Sequence, residues 1–293
     1  MRVLVLEGGG MRGVYSAGVL EAFEEAGADG LGRGGSLNFD RVVACSAGAC
    51  VAASYLAGQP RRNRRVYLDF LDGDKLVRFR RLATGGSVMD IDYLAFEVTL
   101  RLCPLDIEAL RRSETRLYIG VTDCETGKSR YLTNHEDDLV TAIRATCSLP
   151  FFARKEVPYQ GRFYVDGGVS DPVPIAKAIE LGATEVVLVL TSPIEKRGRK
   201  RSLISLFDRF FSSSPAIRRS LAERHLRYRD AARVLAAPPS GVRISVVRPS
   251  RPLPVGRTTT RRKLLEEACD LGYEDGRAFV AALRSSGLES QAT

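Results

Sequence analysis

A serine at position 46 lies between a short β-branched run and a stretch rich in alanine. The segment reads Ala44-Cys45-Ser46-Ala47-Gly48. The β-branched run predicts a strand and the alanines predict a helix, so we expect Ser46 on a strand-to-helix turn with its hydroxyl above the sheet edge. A helix N-terminus beneath the hydroxyl favours negative charge, which suits a nucleophile. For this segment alone, a junction of small residues that simply pack closely stays open as the alternative.

Ala44 is the one departure from the usual nucleophile pattern, G-x-S-x-G, which has glycine at that position. Alanine carries a Cβ atom, and a positive φ angle at Ala44 would cost roughly 1–2 kcal/mol that glycine avoids. Gly48 matches the pattern. We therefore expect Ala44 either to be tolerated or to distort the turn.

A glycine-rich loop follows the apolar run at residues 3–6 and precedes a helical pattern at residues 14–27. The loop reads Gly8-Gly9-Gly10-Met11-Arg12-Gly13. Glycines before a helix leave backbone N–H groups that converge on an anion. A Walker loop is excluded because no lysine and hydroxyl residue follow Gly13. The dinucleotide pattern G-x-G-x-x-G matches, but Asp29 precedes the next strand and is poorly placed for a ribose. An oxyanion hole is the third interpretation.

A carboxylate follows a third strand pattern, at Asp166-Gly167-Gly168. Asp166 would lie at a tight turn, where it either accepts its own backbone N–H groups or acts as a base. The sequence has two histidines, His135 in a polar turn and His225 in a basic helix, and we expect both at the surface. A Ser-His-Asp triad is therefore disfavoured.

These three motifs, in this order, resemble the patatin-like phospholipase family, with its G-G-G-x-[RK]-G, G-x-S-x-G and D-G-[GA] patterns, and are most similar to bacterial members. The resemblance covers roughly residues 1–192. It implies a three-layer α/β/α fold with a central, mostly parallel sheet. Parallel strands bring their carboxyl ends to one edge, so we expect the glycine loop and Ser46 to face each other there.

The resemblance also implies roles for individual residues. Ser46 would be the nucleophile and Asp166 the base of a dyad without histidine, needing no metal and no cofactor. The backbone N–H groups of Gly9, Gly10 and Met11 would stabilise the oxyanion. Arg12 would pin the loop or hold a lipid phosphate. The implied substrate is a lipid or phospholipid ester.

Charge divides the chain into an acidic body and a basic extension. Of 293 residues with a net charge of +9, residues 196–263 carry 19 Lys and Arg against 3 Asp and Glu. We predict a catalytic domain at residues 1–192 and a helical, basic C-terminal extension at residues 193–293 that packs on it. The extension suggests peripheral contact with an anionic membrane. Nucleic acid is disfavoured because no binding motif accompanies the charge.

Two further stretches combine aromatic residues with arginine. Residues 59–81 predict a helix with a solvated face and an aromatic core stripe, or alternatively an anionic-surface contact. Residues 202–211 predict a short amphipathic helix that is either core or interfacial. Neither a signal peptide nor a membrane span is expected, which favours a cytoplasmic protein. The six cysteines are expected to be free, buried thiols.

The function predicted from these patterns is hydrolysis of lipid acyl esters by a serine enzyme. A non-catalytic lipid- or membrane-binding protein on the same fold is the first alternative, and it would follow if Ala44 distorts the turn. A nucleotide-binding regulator that uses residues 8–13 is the second. The lipid headgroup and the oligomeric state stay open.

Overall fold

The computed structural model describes residues 1–27, 37–59, 61–153, 156–191 and 214–289. The described strands are β1 (Arg2–Leu6), β2 (Arg41–Cys45), β3 (Arg116–Asp123), β4 (Ser129–Thr133), β5 (Val157–Tyr159), β6 (Arg162–Asp166), β7 (Glu185–Val189) and β8 (Arg243–Val247). The described α-helices are α1 (Gly13–Ala26), α2 (Ala47–Leu56), α3 (Arg62–Arg65), α4 (Ile107–Arg112), α5 (Leu139–Cys147), α6 (Pro150–Ala153), α7 (Ile175–Glu180), α8 (Pro215–Ala236) and α9 (Arg262–Glu289). Shorter 3₁₀ or π-helical segments lie at Gly10–Arg12, Val66–Phe70, Phe79–Thr84, Tyr93–Leu102 and Gly167–Val169.

All eight described strands join one sheet in the order β5-β6-β3-β2-β1-β7-β8, with β4 paired to β3 outside this path. The five strands from β3 through β2, β1 and β7 to β8 run parallel. The strands β4, β5 and β6 pair antiparallel at the other side. The prediction of a central, mostly parallel sheet is confirmed.

The side chains of β1 alternate between the two faces of the sheet, and each face has its own hydrophobic core. Leu4 and Leu6 belong to a cluster that includes residues of α1, α2 and α9, whereas Val3 and Val5 belong to a cluster with residues of α7 and α8. Because successive side chains of a strand point to opposite faces, helices must cover both sides of the sheet. The fold is therefore the predicted α/β/α sandwich, with a helical C-terminal region.

The C-terminal region joins this fold at three places. The strand β8 pairs with β7, α8 packs on one face of the sheet, and α9 packs against α1 on the other. Tyr15 of α1 donates a hydrogen bond of 2.9 Å to Asp275 of α9. The boundary predicted at residue 192 stays a prediction, because residues 192–213 lie outside the described ranges.

Gly272 of α9 is expected to resist replacement by alanine. A Cβ atom there would overlap the backbone carbonyl oxygen of Tyr15. Alanine gains about 0.5–1 kcal/mol in a helix interior, but overpacking against backbone costs about 1–3 kcal/mol or more, so the clash wins. We expect Gly272→Ala to lower the urea midpoint. The control is Gly256→Ala, whose Cβ would meet no atom closer than 3.6 Å; equal midpoints for the two variants would contradict the argument.

The prediction of a single helix over residues 59–81 is wrong. The chain forms α3, a π-helical turn at Val66–Phe70 and a 3₁₀ segment at Phe79–Thr84. Gly73 interrupts the pattern with a φ angle of +59°, and its N–H group donates to the Thr260 carbonyl. The expected solvated face also fails at Arg62, which is buried. The amphipathic segment predicted at residues 202–211 lies outside the described residues.

Within the described ranges, no helix is long and apolar enough to cross a membrane. The same ranges contain no cluster of three or more His, Cys, Asp or Glu side chains that could hold a metal ion. All six cysteines are free thiols, and all but Cys50 are buried.

Candidate active site

Ser46 lies between the end of β2 and the start of α2, with φ +54° and ψ −134°. This conformation is rare for a residue with a side chain and is held by the surrounding fold. Ala44 lies within β2, buried opposite Leu6 and Ile119 of the neighbouring strands, and has no positive φ angle. The strain expected at Ala44 therefore falls on Ser46, and alanine fits its position in the strand.

Gly48 allows α2 to lie close to β1. A Cβ atom at Gly48 would stand 2.8 Å from the Glu7 carbonyl oxygen and 3.0 Å from Leu6 Cβ. Ala47 and Cys45, the other predicted residues of the turn, are both buried. The small residues around Ser46 are thus explained by close packing of the turn against β1.

Ser46 and Asp166 are in direct contact. The Ser46 hydroxyl donates a hydrogen bond of 2.7 Å to Asp166 Oδ2, and the Gly168 N–H group donates one of 2.7 Å to Asp166 Oδ1. Both side chains are buried. One carboxylate oxygen is therefore held by the turn that follows it, while the other faces the serine.

Strand register explains how two residues 120 positions apart meet. The strand β2 pairs with β3 up to Cys45 and Gly120, and β6 then pairs with β3 from Asp166 opposite Val121. The end of β2 and the end of β6 consequently meet beside β3. Gly167 allows this junction, because a Cβ atom there would overlap the Gly120 carbonyl.

Burial raises the pKa of the Asp166 carboxyl group above its ordinary value. Hydrogen bonds from Ser46 and Gly168, and the positive charges of Arg224 and Arg257, oppose this rise. A carboxylate with a raised pKa is a stronger base than one in water. The site thus holds a carboxylate suited to receive the proton of a serine hydroxyl.

Thr146 and Ser148, at the end of α5, hold the backbones of Ser46 and Asp166. The Thr146 hydroxyl accepts a hydrogen bond of 2.8 Å from the Ser46 N–H group and donates one of 2.6 Å to the Gly120 carbonyl. The Ser148 carbonyl accepts the Asp166 N–H group at 3.0 Å. Sequence reasoning missed both residues, since they follow a helical pattern that carries no motif.

The glycine loop lies above Ser46 and lines the same pocket. The N–H groups of Gly9 and Gly10 donate to no other described residue, and Gly10 has a φ angle of +57°. Met11 differs from the expectation, because its N–H group donates to the Arg257 carbonyl at 3.1 Å. The donors that this arrangement leaves for an oxyanion are those of Gly9 and Gly10.

The remaining loop residues have structural contacts. Arg12 Nε donates to the Gly9 carbonyl at 3.4 Å, which is the pinning contact predicted as one of two roles. The Gly8 N–H group is directed at the Cys45 thiol. Gly13 begins α1, where a Cβ atom would overlap the Tyr67 hydroxyl.

Two arginines of the C-terminal region complete the site. Arg224 of α8 donates from Nε to the Gly168 carbonyl, and its guanidinium lies over the Tyr228 ring. Arg257 precedes α9 and supplies the carbonyl that holds Met11. Both arginines line the pocket with Ser46 and Asp166. The sequence predicted a basic region but could not predict that two of its members line the pocket with Ser46 and Asp166.

The pocket that Ser46 and Asp166 line is mainly apolar. Its walls are contributed by the residues after α3, by the Tyr93–Leu102 segment and by α5 and α6, and include Val66, Leu71, Leu76, Met89, Ile91, Leu94, Leu105, Ile143 and Phe152. Neither histidine lines it; His135 is exposed, and His225 Nδ1 contacts the Ala222 carbonyl at 3.0 Å. The pocket thus places an apolar lining beside Ser46.

The chain is similar to several known proteins. The family model for patatin-like phospholipases matches residues 4–179, and the model of a domain of unknown function (DUF6363) matches residues 214–286. The Escherichia coli protein YjjU, described as uncharacterized, is 29% identical over 288 residues, which span 96% of this chain and 77% of YjjU. Mouse Pnpla3, described as a 1-acylglycerol-3-phosphate O-acyltransferase, is 26% identical over 137 residues, which span 46% of this chain and 32% of Pnpla3. An uncharacterized NTE family protein of Mycobacterium bovis is 29% identical over 195 residues, spanning 64% of this chain and 48% of that protein.

Proposed function

The chain belongs to the patatin-like phospholipase family, and from this premise we propose that it is a serine lipid acyl hydrolase whose nucleophile is Ser46 and whose base is Asp166. The observation that carries the proposal is the hydrogen bond of 2.7 Å from the Ser46 hydroxyl to Asp166 Oδ2. The contact supports the proposal because it holds a hydroxyl within proton-transfer distance of a carboxylate without a histidine.

The proposed reaction has two halves. The Ser46 oxygen attacks the ester carbonyl carbon while Asp166 takes its proton, and the carbonyl oxygen becomes an oxyanion beside the Gly9 and Gly10 N–H groups. Asp166 then gives the proton to the departing alkoxide, leaving an acyl group on Ser46. Water repeats the sequence, with Asp166 as base, and releases the fatty acid.

The pocket supports an ester with one apolar chain and a polar head. Its lining is mostly apolar, whereas the positive charges of Arg224 and Arg257 act on Asp166. A guanidinium group pairs well with a phosphate. We therefore propose a phospholipid or a lysophospholipid as the substrate, with its acyl chain in the apolar part and its phosphate towards the arginines.

The alternative of a non-catalytic lipid-binding protein depended on distortion by Ala44, and Ala44 has ordinary strand geometry. A nucleotide site on residues 8–13 is not favoured either, since the loop lies on a largely apolar pocket that contains Ser46.

The proposal is tested by incubating the purified protein with a fluorophosphonate probe and with micelles of a lysophospholipid. We expect covalent labelling of one serine, identified by peptide mass as Ser46, and release of free fatty acid. A protein that neither labels nor releases fatty acid from any lipid ester would overturn the proposed function.

Hydrolysis is expected to fall as the pH drops through the pKa of Asp166. Only the ionised carboxylate accepts the Ser46 proton, so activity is present above this pKa and lost below it. Because burial raises the pKa, the acidic limb of a kcat/KM profile on a neutral ester should be centred above 3.8, the ordinary value. A limb centred at or below 3.8 would argue against Asp166 as the base.

Arg224→Gln is expected to move that acidic limb to higher pH. The positive charge of Arg224 favours the ionised form of Asp166, so its removal raises the pKa further. Glutamine keeps a donor for the Gly168 carbonyl, which separates the charge from the hydrogen bond. The control is Arg219→Gln, on the same helix but not among the residues that line the pocket. An unchanged profile for Arg224→Gln would show that its charge does not act on Asp166.

A further inference from the structure

A second reactive group lies in the pocket wall, four residues after Ser46. Cys50 of α2 and Cys147 at the end of α5 have their sulfur atoms 3.4 Å apart, close enough for a thiol hydrogen bond. Both residues line the same pocket as Ser46. No other pair among the six cysteines, all of which are described, has a sulfur–sulfur contact.

A buried cation lies next to this pair. The Arg62 guanidinium donates to Ser54 Oγ at 2.7 Å and to the Cys103 carbonyl at 2.6 Å, and it is 8% exposed. No carboxylate of the described residues forms an ion pair with it. A buried positive charge without a carboxylate favours a negative neighbour, and a thiolate can be that neighbour.

The pKa values of the two thiols are shifted in opposite directions. The hydrogen bond from Cys147, followed by the charge of Arg62, lowers the pKa of Cys50 against the opposing effect of burial. The pKa of Cys147 is raised by the same hydrogen bond and by burial. Burial also raises the pKa of Cys45, and it raises those of Cys124 and Cys269 to about 12. This difference favours Cys50 as the attacking sulfur and Cys147 as the sulfur that resolves it.

We propose that Cys50 and Cys147 form an oxidative modification site in the acyl pocket, which a hydroperoxide converts to a disulfide. Three observations carry it: the sulfur–sulfur contact, the position of both residues in the pocket lining, and the buried cation beside them. The oxidant is a compound with an O–O bond, either hydrogen peroxide or a fatty acyl hydroperoxide that the apolar wall would admit. The effect on Ser46 rests on the proposed function, whereas the chemistry of the thiols does not.

The reaction balances in two steps. The Cys50 thiolate attacks the terminal oxygen of the hydroperoxide, the O–O bond breaks, and the departing alkoxide takes the proton that the Cys50 thiol had released. Cys50 is then a sulfenic acid. The Cys147 sulfur attacks the Cys50 sulfur, the S–O bond breaks, and the hydroxide leaves with the Cys147 proton as water. Two thiols lose two electrons, and one O–O bond gains them.

Disulfide formation would act on the dyad through α5. A disulfide needs the sulfurs about 2.05 Å apart, so the two atoms must approach from their present 3.4 Å. Cys147 lies between Thr146, which holds the Ser46 N–H group, and Ser148, which holds that of Asp166. A displacement of about 1 Å at reacting groups can lower a rate by up to about 10²-fold. We therefore expect the oxidised protein to react more slowly at Ser46.

The test of the site uses the reduced full chain with two oxidants, hydrogen peroxide and a long-chain fatty acid hydroperoxide. After alkylation of the remaining thiols, we expect a peptide pair that joins Cys50 to Cys147, in wild type and in Cys124→Ser. Faster formation with the fatty acid hydroperoxide would identify the acyl compound as the source. Failure of both oxidants to join these two cysteines, or joining of another pair, would overturn the proposal.

The test of its effect compares fluorophosphonate labelling of Ser46 before and after oxidation. We expect labelling about tenfold slower or more in the oxidised protein, restored by a dithiol reductant. In Cys147→Ser, the labelling rate should be the same before and after treatment with the oxidant, whatever its absolute value. Equal rates in oxidised and reduced wild type would overturn the effect on Ser46. A reduced wild type that does not label would contradict the proposed function, while the peptide map would still test the disulfide.

Discussion

Replacement of Ser46 by alanine is expected to lower the hydrolysis of lipid esters by at least about 10³-fold. The hydroxyl is the only atom removed, and alanine can keep the φ angle of +54° at a strain similar to that of serine. We therefore expect an unchanged fold, seen as an unchanged circular dichroism spectrum, together with complete loss of fluorophosphonate labelling. The measurement is kcat/KM on a lysophospholipid.

Ser16→Ala is the matched control for Ser46→Ala. Ser16 is also buried, in α1, and its hydroxyl has no hydrogen-bond partner among the described residues. Removing it takes the same atom from the interior without touching the dyad. Ser16→Ala should keep the activity of wild type. Retained activity in Ser46→Ala would refute the assignment of the nucleophile.

Asp166→Asn is expected to match the activity loss of Ser46→Ala and to differ in stability. Asparagine can accept the Gly168 N–H group with its oxygen and donate its NH2 group to the Ser46 hydroxyl, but it cannot take the serine proton. The pKa of Asp166 is raised in the folded protein, so at pH values above that pKa its ionised form destabilises the fold. Removing the charge should raise the urea midpoint at pH 8, and activity lost with stability gained is typical of a functional group. A lower midpoint would show that the carboxylate is mainly structural.

The motifs of the site could be predicted from the sequence because each is local. A serine on a strand-to-helix turn and an aspartate before two glycines are patterns of adjacent residues, and Ser46 and Asp166 do lie in contact. The sequence left open whether Ala44 is tolerated, because the pattern does not say which residue carries the positive φ angle. That angle belongs to Ser46, which only the backbone of the turn reveals.

The supporting residues could not be predicted because they depend on register and on distant segments. Thr146 reaches Ser46 since α5 ends beside β3, and Arg224 reaches Gly168 from the C-terminal region. The same limit applies to Arg62, which arginine-rich composition placed at the surface and the structure buries. Charge patterns predict which segments are exposed to solvent. They do not predict which charged side chain the fold will bury.

The contacts of the C-terminal region indicate that it is part of the site. Arg257 holds Met11 of the glycine loop, Arg224 holds Gly168 of the turn after Asp166, and both guanidinium groups lie near the carboxylate. A basic extension that only contacted a membrane would not need these bonds. The positive charge of this region therefore acts directly on Asp166.

Gly10→Ala is expected to lower kcat/KM by about 10²–10³-fold, the effect of losing an oxyanion donor. Gly10 has a φ angle of +57°, and a Cβ atom there would stand 2.7 Å from the Arg257 carbonyl oxygen. Since that oxygen is also the acceptor of the Met11 N–H group, the loop cannot move aside without losing this bond. The Gly10 N–H group should therefore turn away from the position of the oxyanion.

Gly58→Ala separates this effect from backbone strain. Gly58 has a φ angle of +65°, and a Cβ atom there would meet nothing within 4 Å. Both variants thus carry about 1–2 kcal/mol of conformational strain, but only Gly10→Ala crowds the loop above Ser46. A similar fall in the urea midpoint with activity lost only in Gly10→Ala would assign the loop to the oxyanion. Equal activity in the two variants would mean that the loop is structural and that the oxyanion must be stabilised from the N-terminus of α2 instead.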